Sequence, residues 1–255
     1  MHFKVESAPY KPIIIIMKKF TLILIISLFL ITAYSVEAHQ PRLVKEEVIA
    51  IENPEVSQAF YAELTGKSQV YTINSEVPFK LYLGLLVPDI PGIEKDVSAL
   101  IKKEDHEHEH HREKQTHKHD KFKVLLDGST HEWTSYYEKH AGDDYFIGPA
   151  LQADDSDSAL HPKGVDAEAG EYTVKVFSPD NEGKYVLVVG DKEEFPLFEI
   201  INTVIQVPQI KIYFGKSPLS AFSTPTMLGF LVMTLILLTA VIGLVIFAVK
   251  GFYKN

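Results

Sequence analysis

The chain is predicted to be mainly β: an antiparallel, jelly-roll-like β-sandwich held outside a membrane by one C-terminal helix. Two observations predict this. Short runs of β-branched and aromatic residues alternate with polar ones between Pro and Gly clusters, with little helical pattern in between. Near the C-terminus, Met227–Val249 is an uncharged run of 23 residues, long enough at ~1.5 Å per residue to cross a ~30 Å hydrocarbon core. The sequence has 255 residues and no cysteine. No disulfide, thiolate metal site or Cys nucleophile is therefore available, and the external domain must be held by its core.

The N-terminus carries an export signal that is best read from Met17. Lys18 and Lys19 form a short basic region, and Phe20–Ala33 is an apolar run of 14 residues, short for a spanning helix. Val36 and Ala38 then supply the small residues that precede a cleavage point. Residues 1–38 read as a signal peptide cleaved after Ala38, with residues 1–16 an over-extended start. The alternative is an uncleaved anchor over Ile13–Tyr34.

Residues 39–198 form the expected sandwich, 199–225 a juxtamembrane segment, 226–249 the span and 250–255 a short tail. Lys250 and Lys254 favour the cytoplasmic side for the tail. The expectation is a single-pass, type I protein of the cell membrane with its domain facing the periplasm or the cell surface. Between His39 and Leu219 there are 19 Lys and Arg against 32 Asp and Glu. Such a surface repels nucleic acid and anionic lipid and attracts cations. The span contains no ionisable residue, which suits an anchor better than a pump or channel.

Strands are expected at Val48–Glu52, Gln69–Ile73, Phe79–Val87, Phe122–Leu126, Tyr172–Phe177 and Tyr185–Val189. The last two, joined by the turn residues Pro179-Asp180-Asn181-Glu182-Gly183, read as a β-hairpin. This unit, Glu171–Gly190, resembles the closing hairpin of bacterial pre-peptidase C-terminal domains and the lumenal sandwich of emp24-type cargo proteins. That resemblance implies a jelly-roll-like sandwich with a binding or accessory role. As a whole the chain resembles membrane-anchored proteins of uncultured bacteria.

Two helical segments are expected. Pro54–Leu64, with Val56, Phe60 and Leu64 four residues apart, reads as a short amphipathic helix or turn. Glu199–Phe214 places Ile200, Ile201, Val204 and Ile205 on one stripe until Pro208 breaks the pattern. The second segment directly precedes the span, so it either rests in the membrane interface or packs on the underside of the sandwich.

The densest chemistry is the stretch 104–120, where His106, His108, His110, His111, His117 and His119 alternate with carboxylates. Neutral imidazoles bind Zn²⁺ and Cu²⁺, and the adjacent carboxylates add oxygen ligands and negative potential. Capture of these metals would fade as pH falls through ~6.5 and the imidazoles protonate. The tract resembles the His-rich loops of bacterial zinc-uptake proteins and implies support of a transporter; the alternative is a low-complexity insertion without a role. His106-Glu107-His108-Glu109-His110 matches H-E-x-x-H in letter only, because no apolar face accompanies it.

Cleavage after Ala38 would make His39 the new terminus. Its amine and imidazole, with His131, His140 or His161 as a further ligand, would then form the copper brace of an enzyme or carrier; the alternative is a surface histidine without a role. The acidic stretches Gly142-Asp143-Asp144-Tyr145 and Asp154-Asp155-Ser156-Asp157-Ser158 offer oxygens to Ca²⁺ without EF-hand spacing. Trp133, Tyr136 and Tyr137 form an aromatic group that either binds a sugar or protein ligand or plugs one end of the core. No G-x-S-x-G, phosphate-cradling Gly-rich loop or S-x-x-K occurs. The favoured reading is a non-enzymatic binding or accessory module with a membrane-protein or cell-surface partner.

Overall fold

The computed structural model describes residues 39–104, 122–154 and 163–252. They divide into two compact units between Leu228 and Gly229. The first is a β-sandwich. One sheet has six strands in the order β1 (Gln40–Leu43), β3 (Gln58–Thr65), β13 (Glu182–Val189), β6 (Leu83–Pro88), β10 (Asp143–Leu151) and β9 (Thr134–Glu138). The other has five: β2 (Val48–Ile51), β4 (Gln69–Ser75), β12 (Gly170–Phe177), β7 (Ser98–Lys103) and β8 (Lys123–Leu126). A two-stranded ribbon pairs β5 (Phe79–Leu81) with β11 (Val165–Ala167). Pairing is antiparallel except at the two edges formed first in sequence, where β1 runs parallel to β3 and β2 parallel to β4.

The core lies between the sheets. Alternate residues of β12 (Tyr172, Val174, Val176) and of β13 (Tyr185, Leu187, Val189) point into it, as period-two alternation requires. At its centre the Tyr71 hydroxyl of one sheet meets the Tyr185 hydroxyl of the other at 3.0 Å, both buried. This satisfies two polar groups that would be costly alone in an apolar interior.

All six expected strands are present, three expectations of local structure are corrected, and several further strands are added. Phe79–Val87 is split at Tyr82 into β5 and β6. The segment read as the helix Pro54–Leu64 is instead largely strand β3. Phe60, Ala62 and Leu64 face the core, while Ala59 and Tyr61 belong to a second apolar cluster on the opposite face. A strand covered on both faces loses simple alternation, and apolar residues spaced by four satisfy period two as well as a helix. Nor do β12 and β13 form a hairpin. They lie in different sheets, so the turn after Phe177 carries the chain from one layer to the other. Asn181 takes a positive φ of 57° there, and Ser178 and Asp180 hold the turn through the Glu182 amide.

The third correction concerns the juxtamembrane helix, α1 (Leu197–Tyr213), which continues through Pro208. Tertiary contacts outweigh the missing amide. Ile210 and Phe214 pack with Ala59, Tyr82, Tyr145, Val186 and Val188 on the outer face of the six-stranded sheet. Two ion-paired clamps fix its ends. Near the start, Glu199 receives two hydrogen bonds from Arg42 of β1, at 2.9 and 2.7 Å. Near the end, Lys211 is only 1% exposed and binds Asp143 at 2.7 Å, and Lys216 reaches the second Asp143 oxygen at 2.8 Å. Lys211 also donates to the carbonyls of Ala141 and Gly142. The helix closes on Gly215 at φ 73°, with the Lys216 amide bonded back to Lys211.

A short 3-10 turn, Pro218–Phe222, leads to α2 (Pro225–Phe252). Within α2, Pro225–Ile246 is long and apolar enough to cross a membrane, in line with the expected span.

Candidate functional site: an open groove at the sandwich edge

The chain enters the sandwich along β1 at the edge of one sheet and crosses at once to β2 at the edge of the other. The gap between these two edges stays open as a groove of about 810 Å³. Buried Phe60 and Phe79 and half-buried Ile49 form its apolar inner side, exposed Val77 borders it, and its rim is rich in carboxylates, among them Glu46, Glu52, Glu55 and Glu194. Phe198 and Glu199 from the first turn of α1 close one end.

Each wall is fixed by local chemistry. The turn before β3 places Asn53 at φ 51°. The Gln58 side-chain amide gathers that turn by donating to the carbonyls of Glu52, Asn53 and Val56. Gly190 lets the turn approach the end of β13, since a Cβ there would lie 2.4 Å from the Val56 carbonyl oxygen. Backbone bonds from Ser57 to Lys192 and from Lys192 to Glu55 complete the closure. On the other wall, Arg42 is held between Glu199 and the Gln40 side-chain oxygen, and Gln40 donates to the Glu194 carbonyl. Two rim cations are thereby tied to carboxylates, because Lys192 also pairs with Glu194 at 2.6 Å. Among the described residues β2 pairs with β4 alone, which leaves its second edge without a sheet partner there, and Val48 is 61% exposed. The arrangement suits an extended segment carrying apolar and cationic side chains.

The residues singled out from sequence are dispersed. The six histidines from His106 to His119 lie outside the described residues. The structure does show where their segment starts and ends: β7 and β8 pair from Ala99↔Leu126 to Lys102↔Lys123, and the Lys103 amide donates to Phe122. The tract therefore joins two paired strands at one end of the sandwich.

His39 precedes β1 with its Nδ1 against the Ser57 hydroxyl. Though the residue as a whole is exposed, crowding by the surrounding protein, and secondly His140, lower its pKa to about 4. His140 faces the Thr226 hydroxyl through Nδ1 at 3.2 Å, and its buried Nε2 has no hydrogen-bond partner. His131 stands edge-on to Trp133, with ring centroids 6.3 Å apart, and His161 lies outside the described residues. Among the described residues no three metal-ligating side chains come together.

In the first acidic stretch, Asp143 is buried and paired with two lysines, whereas Asp144 is exposed. Asp154 is described; residues 155–158 are not. The aromatic group divides. The Trp133 ring packs on the core and donates its N–H to the Gly128 carbonyl at 2.8 Å. It lies so close to Gly148 that a Cβ there would meet it at 2.5 Å. Tyr136 joins the cluster beneath α1, and Tyr137 is exposed.

Compared with known protein families and with curated proteins, the chain matches none.

Proposed function

We propose that the protein is a non-enzymatic, membrane-anchored binding module, facing outside the cell, that holds an extended polypeptide segment of a surface or membrane partner in the groove between β1 and β2. The observation that carries this reading is the union of an apolar inner side, a carboxylate-rich rim and an edge strand without a second partner. Main-chain bonds to β2 would supply sequence-tolerant affinity, and the rim would select basic side chains. The test is fluorescence anisotropy of the full chain in nanodiscs with labelled peptides alternating Lys and Val, or Glu and Val. Saturable binding of the basic peptide alone, weakened by salt and by Glu52→Lys, supports the reading. Equal binding of both peptides, or of neither, refutes it.

A second reading, capture of Zn²⁺ or Cu²⁺ by the His-rich tract on behalf of a transporter, is favoured by the attachment of that tract to two paired strands. Paired ends hold the tract at one place on the domain and lessen the entropy lost when imidazoles gather on an ion. Calorimetric titration at about pH 7.4 and about pH 5.5 tests it, since imidazole protonates between them. Tight binding that vanishes at the lower pH and on deletion of residues 104–120 supports it; binding that survives the deletion assigns the metal elsewhere.

A further inference from the structure

Helix α1 is apolar on both sides. On its inner side Ile200, Val207 and Ile210 are buried, Ile210 in the cluster on the six-stranded sheet. On its outer side Phe198, which also borders the end of the groove, Ile205 and Ile212 recur every seven residues and are 65%, 55% and 60% exposed. Seven residues make close to two turns, so the three lie on one stripe. An exposed helix face on an acidic domain would ordinarily carry charges. Here the two charged residues of the helix, Glu199 and Lys211, are turned inward and buried against Arg42 and Asp143. The outward positions between them hold aliphatic or uncharged polar groups.

We propose that this stripe lies in the interfacial layer of the same bilayer that α2 spans. Two further facts single out lipid. Only eleven residues separate Tyr213 from Pro225, so the stripe is confined near the point where the chain enters the membrane. Within that connection Leu219 is 79% exposed, which continues the apolar character toward the span. A helix whose outer face has lost its charges, tied by so short a connection to a membrane segment, meets the requirements of an interfacial helix. Its inner face meanwhile fastens the sandwich to it, so the domain would be held against the bilayer surface.

The absence of cysteine permits a direct test. Ile205→Cys, Gln209→Cys and Ile212→Cys, with Leu125→Cys on strand β8 as the exposed control, are labelled with an environment-sensitive fluorophore. Each full chain is reconstituted in phosphatidylcholine vesicles, and the Trp133 emission is checked against the parent protein for retained folding. The labels on α1 are expected to be quenched by iodide roughly threefold less than the label at 125, and to be quenched by lipid brominated near the top of one acyl chain. Iodide quenching equal to that at 125 overturns the proposal. So does shielding that brominated lipid does not reach and that grows with the protein-to-lipid ratio, the mark of a second copy on the stripe.

Discussion

Asp143 is the residue on which most of the buried charge depends. Its carboxylate balances Lys211, which is 1% exposed, and Lys216. Removing one partner of a buried pair strands the other charge, so Asp143→Asn is expected to cost about 3–5 kcal/mol. The joint replacement Asp143→Leu with Lys211→Met should cost far less, because no fully buried charge is left unpaired and Lys216, partly exposed, can turn to water. Urea unfolding of the detergent-solubilised chain checks both; equal losses for the single and the double variant would show that packing, not charge, fixes this end of α1. The sequence made these two oxygens look like calcium ligands, because the lysines that occupy them lie far along the chain. The buried tyrosines set a second dependence. Burial raises the pKa of Tyr71, Tyr185 and Tyr145 above the ordinary value, whereas an unfolded chain ionises them near ~10. A hydroxyl kept neutral in the fold contributes its full stability below that pH and loses it as pH rises toward the folded-state value. The protein should therefore hold its β-structure to about pH 10 and lose it above, together with the late rise of tyrosinate absorbance. A complete tyrosinate rise before any loss of β-signal would contradict this.

At the level of elements, the sequence was legible where one face of a strand is wet and the other dry. It failed where that contrast disappears. Strand β3 is covered by the core on one face and by the cluster beneath α1 on the other, and it read as a helix. The last two strands alternate correctly, yet alternation says nothing about which sheet a strand joins, and they part into opposite layers. The groove left no local mark because its walls come from four separate stretches of chain. Its one sequence trace is the abundance of glutamates around the first two strands. The helical segment Glu199–Phe214 was expected to have its pattern broken at Pro208, and α1 continues through that residue. A proline inside a helix removes one hydrogen bond and crowds the preceding turn, a cost of ~3 kcal/mol. Pro208→Ala should thus raise the stability of the docked helix by about 1–3 kcal/mol, measured as a higher urea midpoint. A lower midpoint would mean that the proline ring is part of how the helix fits its surroundings.

For the whole molecule, composition settled the main outlines: a β-rich domain and one apolar helix able to span a membrane. The order of the strands adds something that composition cannot. The strands of the sandwich that come last in the chain, β12 and β13, occupy interior positions of the two sheets, each with a neighbour on both sides. Strands β3, β4, β6 and β7 therefore wait for them with open edges. A chain truncated before Gly170 should yield no protease-resistant sandwich, and a stable core from such a fragment would refute this dependence. During synthesis, nearly the whole domain must emerge and remain unfolded before either layer can close. On the outward-facing placement proposed above, export in the extended state is thereby eased, since neither layer closes early enough to block a translocation channel. The consequence on the far side is a long interval of open strand edges, in which the nascent protein depends on escort rather than on its own partly built fold.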